Sequence, residues 1–227
     1  MHVVAVASRK GGSGKTTLAG HLAVAAERAG IKPTLVIDTD PQGNLAQWWN
    51  ARRDHSPLFA RATAERLRAG VARIRELGVA LLIIDTPPAL ETTLAEVIAI
   101  ADLVLIPVRP SPHDLRAAGA TVALVEHLGR PFVFALNAAT ARTRIASEAI
   151  MALSQHGTVA PVVIHHRTGF AASMIDGRTV MEIAGDERSG TEIGQLWEYL
   201  GRRLSRDYRT VLPNGMSIPA LPAQGAA

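Results

Sequence analysis

Two lysines five residues apart, Lys10 and Lys15, bracket Gly11, Gly12, Ser13 and Gly14, and two hydroxyl side chains, Thr16 and Thr17, follow at once. Glycines let consecutive backbone N–H groups turn toward one centre, where they surround an anion. A helix opening at the end of such a turn adds roughly half a positive charge. Lys15 supplies a full charge at the same place, and the Thr16 hydroxyl is a hard oxygen of the kind that binds Mg²⁺. Lysine is otherwise rare here: Lys32 is the one other among 24 basic residues, and the rest are arginine. Both loop positions therefore favour a compact ammonium over a planar guanidinium. The chemistry on offer is the grip of a phosphate chain.

A phosphate-bound Mg²⁺ needs carboxylates close by, and in open α/β sheets these stand at the carboxyl ends of strands. The sequence has two such places. Leu81 to Ile84 is an apolar run ending in Asp85, which is placed to hold the water shell of the metal. Val36-Ile37 leads into Asp38-Thr39-Asp40, whose two acids point the same way if the strand continues. An Asp at a strand end also serves as a turn or helix cap, and that reading stands beside the metal reading for all three.

These groups need a scaffold. Short β-branched runs predict strands at Val3–Ala7, Thr34–Ile37, Ala80–Ile84, Leu103–Pro107, Pro131–Leu136 and Val159–Ile164. Helical spacing between them covers Thr16–Ala29, Ala62–Leu77, Leu115–Leu128 and Ile145–His156. Ile193, Leu196, Trp197, Leu200 and Leu204 predict a last helix with one face on the core. Such alternation implies an α/β fold: a single doubly wound, mostly parallel sheet with helices on both faces. Neither repeat nor linker divides the chain, so residues 1–209 form one domain, and the Pro-, Ala- and Gly-rich residues 210–227 are expected to be a disordered tail.

Composition narrows the function further. Of the 227 residues 48% are hydrophobic but only 4% aromatic, so the core is built from Ala, Val, Ile and Leu. The absence of cysteine excludes disulfides, thiolate catalysis and Cys-held zinc or iron–sulfur sites. Val3–Ala7 runs straight into the glycine loop, so no leader is expected, and apolar runs such as Val79–Ile84 are too short to span a membrane. The expectation is a soluble cytoplasmic protein.

Strand, Gly-rich loop and helix start are the context a P-loop requires, although Arg9 stands where the general pattern has glycine. The run Lys10-Gly11-Gly12-Ser13-Gly14-Lys15-Thr16-Thr17 resembles, more narrowly, the deviant Walker A box of the ParA/MinD family. The likeness extends to Asp38-Thr39-Asp40-Pro41-Gln42-Gly43-Asn44, to Asp85-Thr86-Pro87-Pro88, to Pro107–Asp114, to the Gly177–Val180 turn and to the final helix, covering Met1 to about Tyr208. It implies an ATPase that takes ATP and Mg²⁺, with Lys15 on the phosphates and Thr16 on the metal. It further implies that Lys10 crosses a homodimer interface to the partner's nucleotide, as an arginine finger does in trans. By the same likeness Asp40 orients the attacking water and Asp38 supports metal and loop. With no added N-terminal DNA-reading domain, the chain is similar to the small ParA type, an ATP-bound dimer on non-specific DNA reset by an adaptor or cargo protein. Adenine is usually gripped at a late strand end, where Asn137 is the candidate; a plain strand-end Asn is the other reading.

DNA binding without base readout needs phosphate neutralisation. The formal net charge of +4 permits it. Residues 51–77 carry seven Arg against three acids, whereas Arg167–Arg209 carries seven of each. Charge favours the earlier segment; the family likeness favours C-terminal residues, with Arg167, Arg178 and Arg202 as candidates. A solvated helix face accounts for either. His165-His166 lacks further metal ligands, and Trp48-Trp49 is expected to pack a helix after the Asp38–Asn44 loop. The competing class is a metabolic P-loop enzyme such as a dethiobiotin-synthetase-like ligase, but the sequence has none of the extra polar loops a small-molecule pocket needs. Missing cysteines exclude a nitrogenase-reductase-like role. A tail without charge after Arg209 disfavours membrane anchoring.

Overall fold

Strands apolar on both faces must be covered on both sides. The computed structural model of the chain, which describes residues 1–88 and 91–205, shows how that is done. Six strands, β1 (His2–Val6), β2 (Thr34–Asp38), β3 (Leu58–Arg61), β4 (Leu81–Asp85), β5 (Leu103–Val108) and β6 (Phe132–Leu136), form one sheet in the order β3-β2-β4-β1-β5-β6. Every pairing is parallel.

Alternate side chains of β1 point into separate cores. Val4 and Val6 join the layer built by α1 (Lys15–Arg28), α2 (Asn44–Ala51), α7 (Thr168–Ile175) and α8 (Glu187–Leu204). Val3 and Ala5 join the layer of α3 (Ala64–Glu76), α4 (Glu91–Ile100), α5 (Pro112–His127) and α6 (Arg144–Ser154). Aliphatic residues of modest size supply most of both, which is why four per cent aromatic content suffices. The expected face of α8 is the buried one: Ile193, Leu196, Trp197 and Leu200 are core residues and Leu204 packs at its margin.

This topology sets the site. From central β1 the chain steps outward for β2 and β3, returns with β4, and crosses to the other side for β5 and β6. Crevices of this kind open at the carboxyl edge, where the direction of winding changes. Register places Val6 opposite Asp85 and Asp85 opposite Asp38, so the glycine loop and two acids stand at one level.

Three sequence expectations are revised. Val159–Ile164 is not a strand: only the single bridges Phe134–Val159 and Ala139–His165 form, because Pro161 has no N–H to give and breaks the ladder while the segment still follows β6. Strand β3 was absent from the expected set, being a four-residue edge strand whose apolar run, Leu58-Phe59-Ala60, is only three residues long. Helices α4 and α7 were not singled out either. The expected tail, 210–227, lies outside the described residues. Among those described, no helix is long and apolar enough to cross a membrane.

Candidate functional site

The glycine loop leaves β1 and ends at Gly14, which caps α1 with φ +95° and no side-chain cap bond. The first-turn N–H groups of α1 thus lack an intrachain cap and face a ligand instead. Gly12 is also left-handed at φ +71°. A Cβ on Gly14 would lie 2.1 Å from Asn137 Nδ2, so this glycine is required by space as well as by φ. The same Nδ2 donates to the Ser13 carbonyl at 2.7 Å. Asn137, the adenine candidate, therefore pins the phosphate loop from the end of β6.

Lys15 is buried and its Nζ donates to the Lys10 carbonyl at 3.2 Å. Burial pulls its pKa below the ordinary lysine value, against the attraction of Asp85 and Asp40. Thr16 Oγ1 donates to Asp85 Oδ2 at 2.6 Å. Asp85 is 1% exposed; burial pushes its carboxyl up to about 7, the Thr16 bond opposing and the neighbouring Asp38 adding to the rise. Among the described residues Asp85 Oδ1 and Ser13 Oγ are buried without a hydrogen-bond partner. Unpaired polar atoms in a dry site are costly, and here both lie where phosphates and their counterion belong.

The loop after β2 is a set of side chains closing on backbone. Asp38 Oδ1 accepts from Asp40 N at 2.9 Å and Oδ2 from Ala46 N at 3.0 Å, so both its oxygens hold the loop against the first turn of α2. Burial raises the Asp38 pKa, those two bonds opposing. Thr39 ties the loop to β4, its N–H and hydroxyl both donating to the Asp85 carbonyl at 3.1 and 2.6 Å. Asp40 Oδ1 accepts from Gln42 N at 2.9 Å. Sequence reasoning passed over Thr39, although a hydroxyl between two acids at a buried strand end needs an acceptor and was a signal in plain view.

Lys10 differs from Lys15. Its backbone N–H donates to Ser8 Oγ at 3.2 Å, but its half-buried ammonium makes no hydrogen bond or ion pair among the described residues. Nearby, Ser111 caps α5 by accepting from Asp114 N and donates its hydroxyl to Asp114 Oδ2, while Arg109 grips the same carboxylate at 3.0 and 3.3 Å. Burial would raise the Asp114 carboxyl, yet these bonds, with the charges of Arg109 and Lys10, keep it below the usual range.

No cluster of three or more His, Cys, Asp and Glu able to hold a metal occurs among the described residues. Thr16 and Asp85 alone form part of an oxygen shell, which fits Mg²⁺, an ion that takes its other ligands from phosphates and water. His165 Nδ1 pairs with Glu192 at 2.8 Å, a structural contact. Trp48 and Trp49 pack on α2 as expected, their indoles donating to the Arg178 and Pro57 carbonyls. Each DNA candidate is ion-paired: Arg167 to Glu192 at 2.7 Å, Arg178 to Asp176 at 2.7 Å and Arg202 to Glu198 at 2.7 Å.

A glycine loop between central strand and helix, with a strand-end acid bonded to the loop threonine, defines a P-loop nucleotide-binding protein. A sequence profile of the CobQ/CobB/MinD/ParA nucleotide binding domain matches residues 4–180, and the chain belongs to that family. Maintenance of carboxysome distribution protein A from Gloeobacter kilaueensis is 43% identical over 124 residues, 53% of this chain and 55% of that protein. Chromosome-partitioning ATPase Soj from Thermus thermophilus is 29% identical over 154 residues, 55% of this chain and 61% of that one. The matches thus span little more than half the length of these relatives. In fold, septum site-determining protein MinD from Pyrococcus horikoshii, complexed with Mg-ADP, superposes at a TM-score of 0.76 with 16% identity, over 90% of this chain and 97% of that one. The site is the nucleotide-binding site of this family.

Proposed function

We propose that the chain works as an ATP-driven positioning device. ATP with Mg²⁺ joins two copies, the pair binds DNA of any sequence on the nucleoid, and an adaptor or cargo protein accelerates hydrolysis and releases it. The observation that carries this reading is Lys10. A lysine at the mouth of a phosphate loop, unpaired among the described residues, is available to a second nucleotide, whereas Lys15 is turned inward onto its own loop. Relatives named for carboxysome distribution and chromosome partitioning support a cargo that is a protein assembly or a DNA molecule.

The residues divide the work. Backbone N–H groups from Gly11 to Thr17, with Lys15, take the β- and γ-phosphates. Thr16 and Asp85 hold Mg²⁺, which neutralises charge on the phosphate oxygens. Asp38 keeps the loop in place for the metal's water shell, Asp40 accepts a hydrogen bond from the attacking water, and Asn137 stands beside the adenine. Lys10 of the partner completes the site by meeting the charge that develops on the leaving phosphate.

Light scattering with a non-hydrolysable ATP analogue and with ADP tests the reading. The expected result is a dimer with the analogue and a monomer with ADP, and the Lys10→Ala variant still binds nucleotide but does not hydrolyse it. Gel shifts should show DNA binding in the analogue state alone. A protein that remains monomeric with the analogue yet turns over ATP at full rate would instead support the ligase class.

A further inference from the structure

The proposed function needs a surface for DNA, and the arginines of this chain are unequal in what they can offer. Arg167 is spent: only 27% exposed, it grips Glu192 through two nitrogens at 2.7 Å. Arg178 and Arg202 each face a carboxylate at 2.7 Å. Any phosphate arriving there must displace an acid already in place, and the segment as a whole has no excess of positive charge.

The other end of the sheet is different. Leu67 and Val71 bury one face of α3 in the layer shared with Leu35 and Ile37 of β2. Arg66, Arg68, Arg73 and Arg75 are all exposed on the same helix, and Arg61 is exposed at the end of edge strand β3. Arg73 pairs with Glu76, whereas Arg61, Arg66, Arg68 and Arg75 make no hydrogen bond or ion pair among the described residues. Seven residues make nearly two turns, so Arg66 lies over Arg73 on one flank and Arg68 over Arg75 on the other. Guanidinium groups on both flanks of one exposed helix, with no aromatic or amide side chain between them, suit phosphate contact without base readout.

We infer that the β3–α3 edge, through Arg66, Arg68 and Arg75, is the surface that takes the phosphate backbone of duplex DNA. The inference rests on the DNA-binding reading above and names its surface. Dimerisation presents two such edges, which doubles the phosphate contacts and turns a weak contact into a useful one.

The test compares three proteins with the ATP analogue and a short duplex of arbitrary sequence, by fluorescence anisotropy across a salt series. One is parental, one carries Arg66→Gln, Arg68→Gln and Arg75→Gln, and one carries Arg202→Gln and Arg203→Gln. Arg66, Arg68, Arg75 and Arg202 are exposed and Arg203 is half-buried, and light scattering verifies that each protein still dimerises. The α3 variant should lose about tenfold or more in affinity, its log–log salt slope falling by about 0.9 for each contact removed. The α8 variant should stay within about twofold of the parent. Loss in the α8 variant with the α3 variant intact would overturn the assignment. So would binding of the parent to phosphatidylglycerol vesicles in preference to DNA, since the same charges would then serve a lipid surface. A parental dimer that binds no DNA at any salt would contradict the proposed function itself, a result distinct from a misplaced surface.

Discussion

Two regions on either side of helix α1 bury polar groups, and they treat them in opposite ways. Behind the helix, His21 is fully buried, its Nδ1 donating to the Thr17 carbonyl at 2.8 Å and its Nε2 accepting from Val180 N at 3.2 Å. Burial drives its pKa down to about 4, against the bond to Thr17. Beside it Arg52, 3% exposed, grips Glu182 at 2.8 and 3.0 Å, and Glu182 also accepts from the Thr179 N–H and hydroxyl. All these polar groups are answered. In front of the helix, Asp85 Oδ1 and Ser13 Oγ are left without partners among the described residues, and Lys15 is buried with its charge only partly compensated. Satisfied polar clusters fix a fold; unsatisfied ones at a loop mouth mark where a ligand completes the structure.

Substitutions should separate the two. The largest effect is expected for Lys15→Ala, which should weaken ATP binding by about 10² to 10³-fold, measured by calorimetry, with little change in melting temperature. Glu182→Ala should do the reverse. It strands the buried Arg52 and should cost about 3 kcal/mol of unfolding free energy in urea titrations, while ATP affinity in the remaining folded protein holds. An effect of Glu182→Ala on affinity as large as that of Lys15→Ala would erase the distinction.

A smaller effect of opposite sign is expected at Asp85. Its folded pKa of about 7 lies above the ordinary 3.8, so the folded state holds a proton that the unfolded state has lost between those values. The stability this confers is fully present below about pH 4 and disappears as pH rises through about 7. Asp85→Asn removes the penalty, and the ligand-free variant should be about 2 kcal/mol more stable than the parent near pH 8, with the gap closing toward pH 4. The same variant should lose Mg²⁺-dependent nucleotide binding, the exchange of stability for function expected at such sites. A gap that does not change with pH would place the proton elsewhere.

How much of this was legible from sequence follows from how local each feature is. The phosphate loop is contiguous and its chemistry admits few residue types, so Lys10 to Thr17 could be read directly, and Asp85 was marked by the apolar run before it. Long-range partners were not legible. That Arg167 meets Glu192, twenty-five positions away, is a consequence of where the start of α7 lies against α8. Likewise the spacing of Asp38 and Asp40 predicted two acids facing one way, but not that both Asp38 oxygens would be taken by Asp40 N and Ala46 N. Edge strand β3 escaped because three apolar residues between Pro57 and Arg61 are too short a run to mark a strand, and Val159–Ile164 misled because a β-branched run with a proline can follow a sheet without joining it.

The central claim, that Lys10 serves the partner's nucleotide, is tested most directly by mixing two inactive variants and measuring steady-state ATP turnover. Lys10→Ala keeps its own Asp40 but has no lysine to give, and Asp40→Ala keeps the lysine but lacks the residue that orients water. Each alone should turn over ATP at about 1% of the parental rate or less. Mixed in equal amounts they should recover roughly a quarter of it, because half of random dimers are mixed and each of those holds one complete site. A mixture no faster than its separate components, in samples shown by light scattering to contain mixed dimers, would mean that Lys10 acts on its own protomer's nucleotide and would contradict the claim.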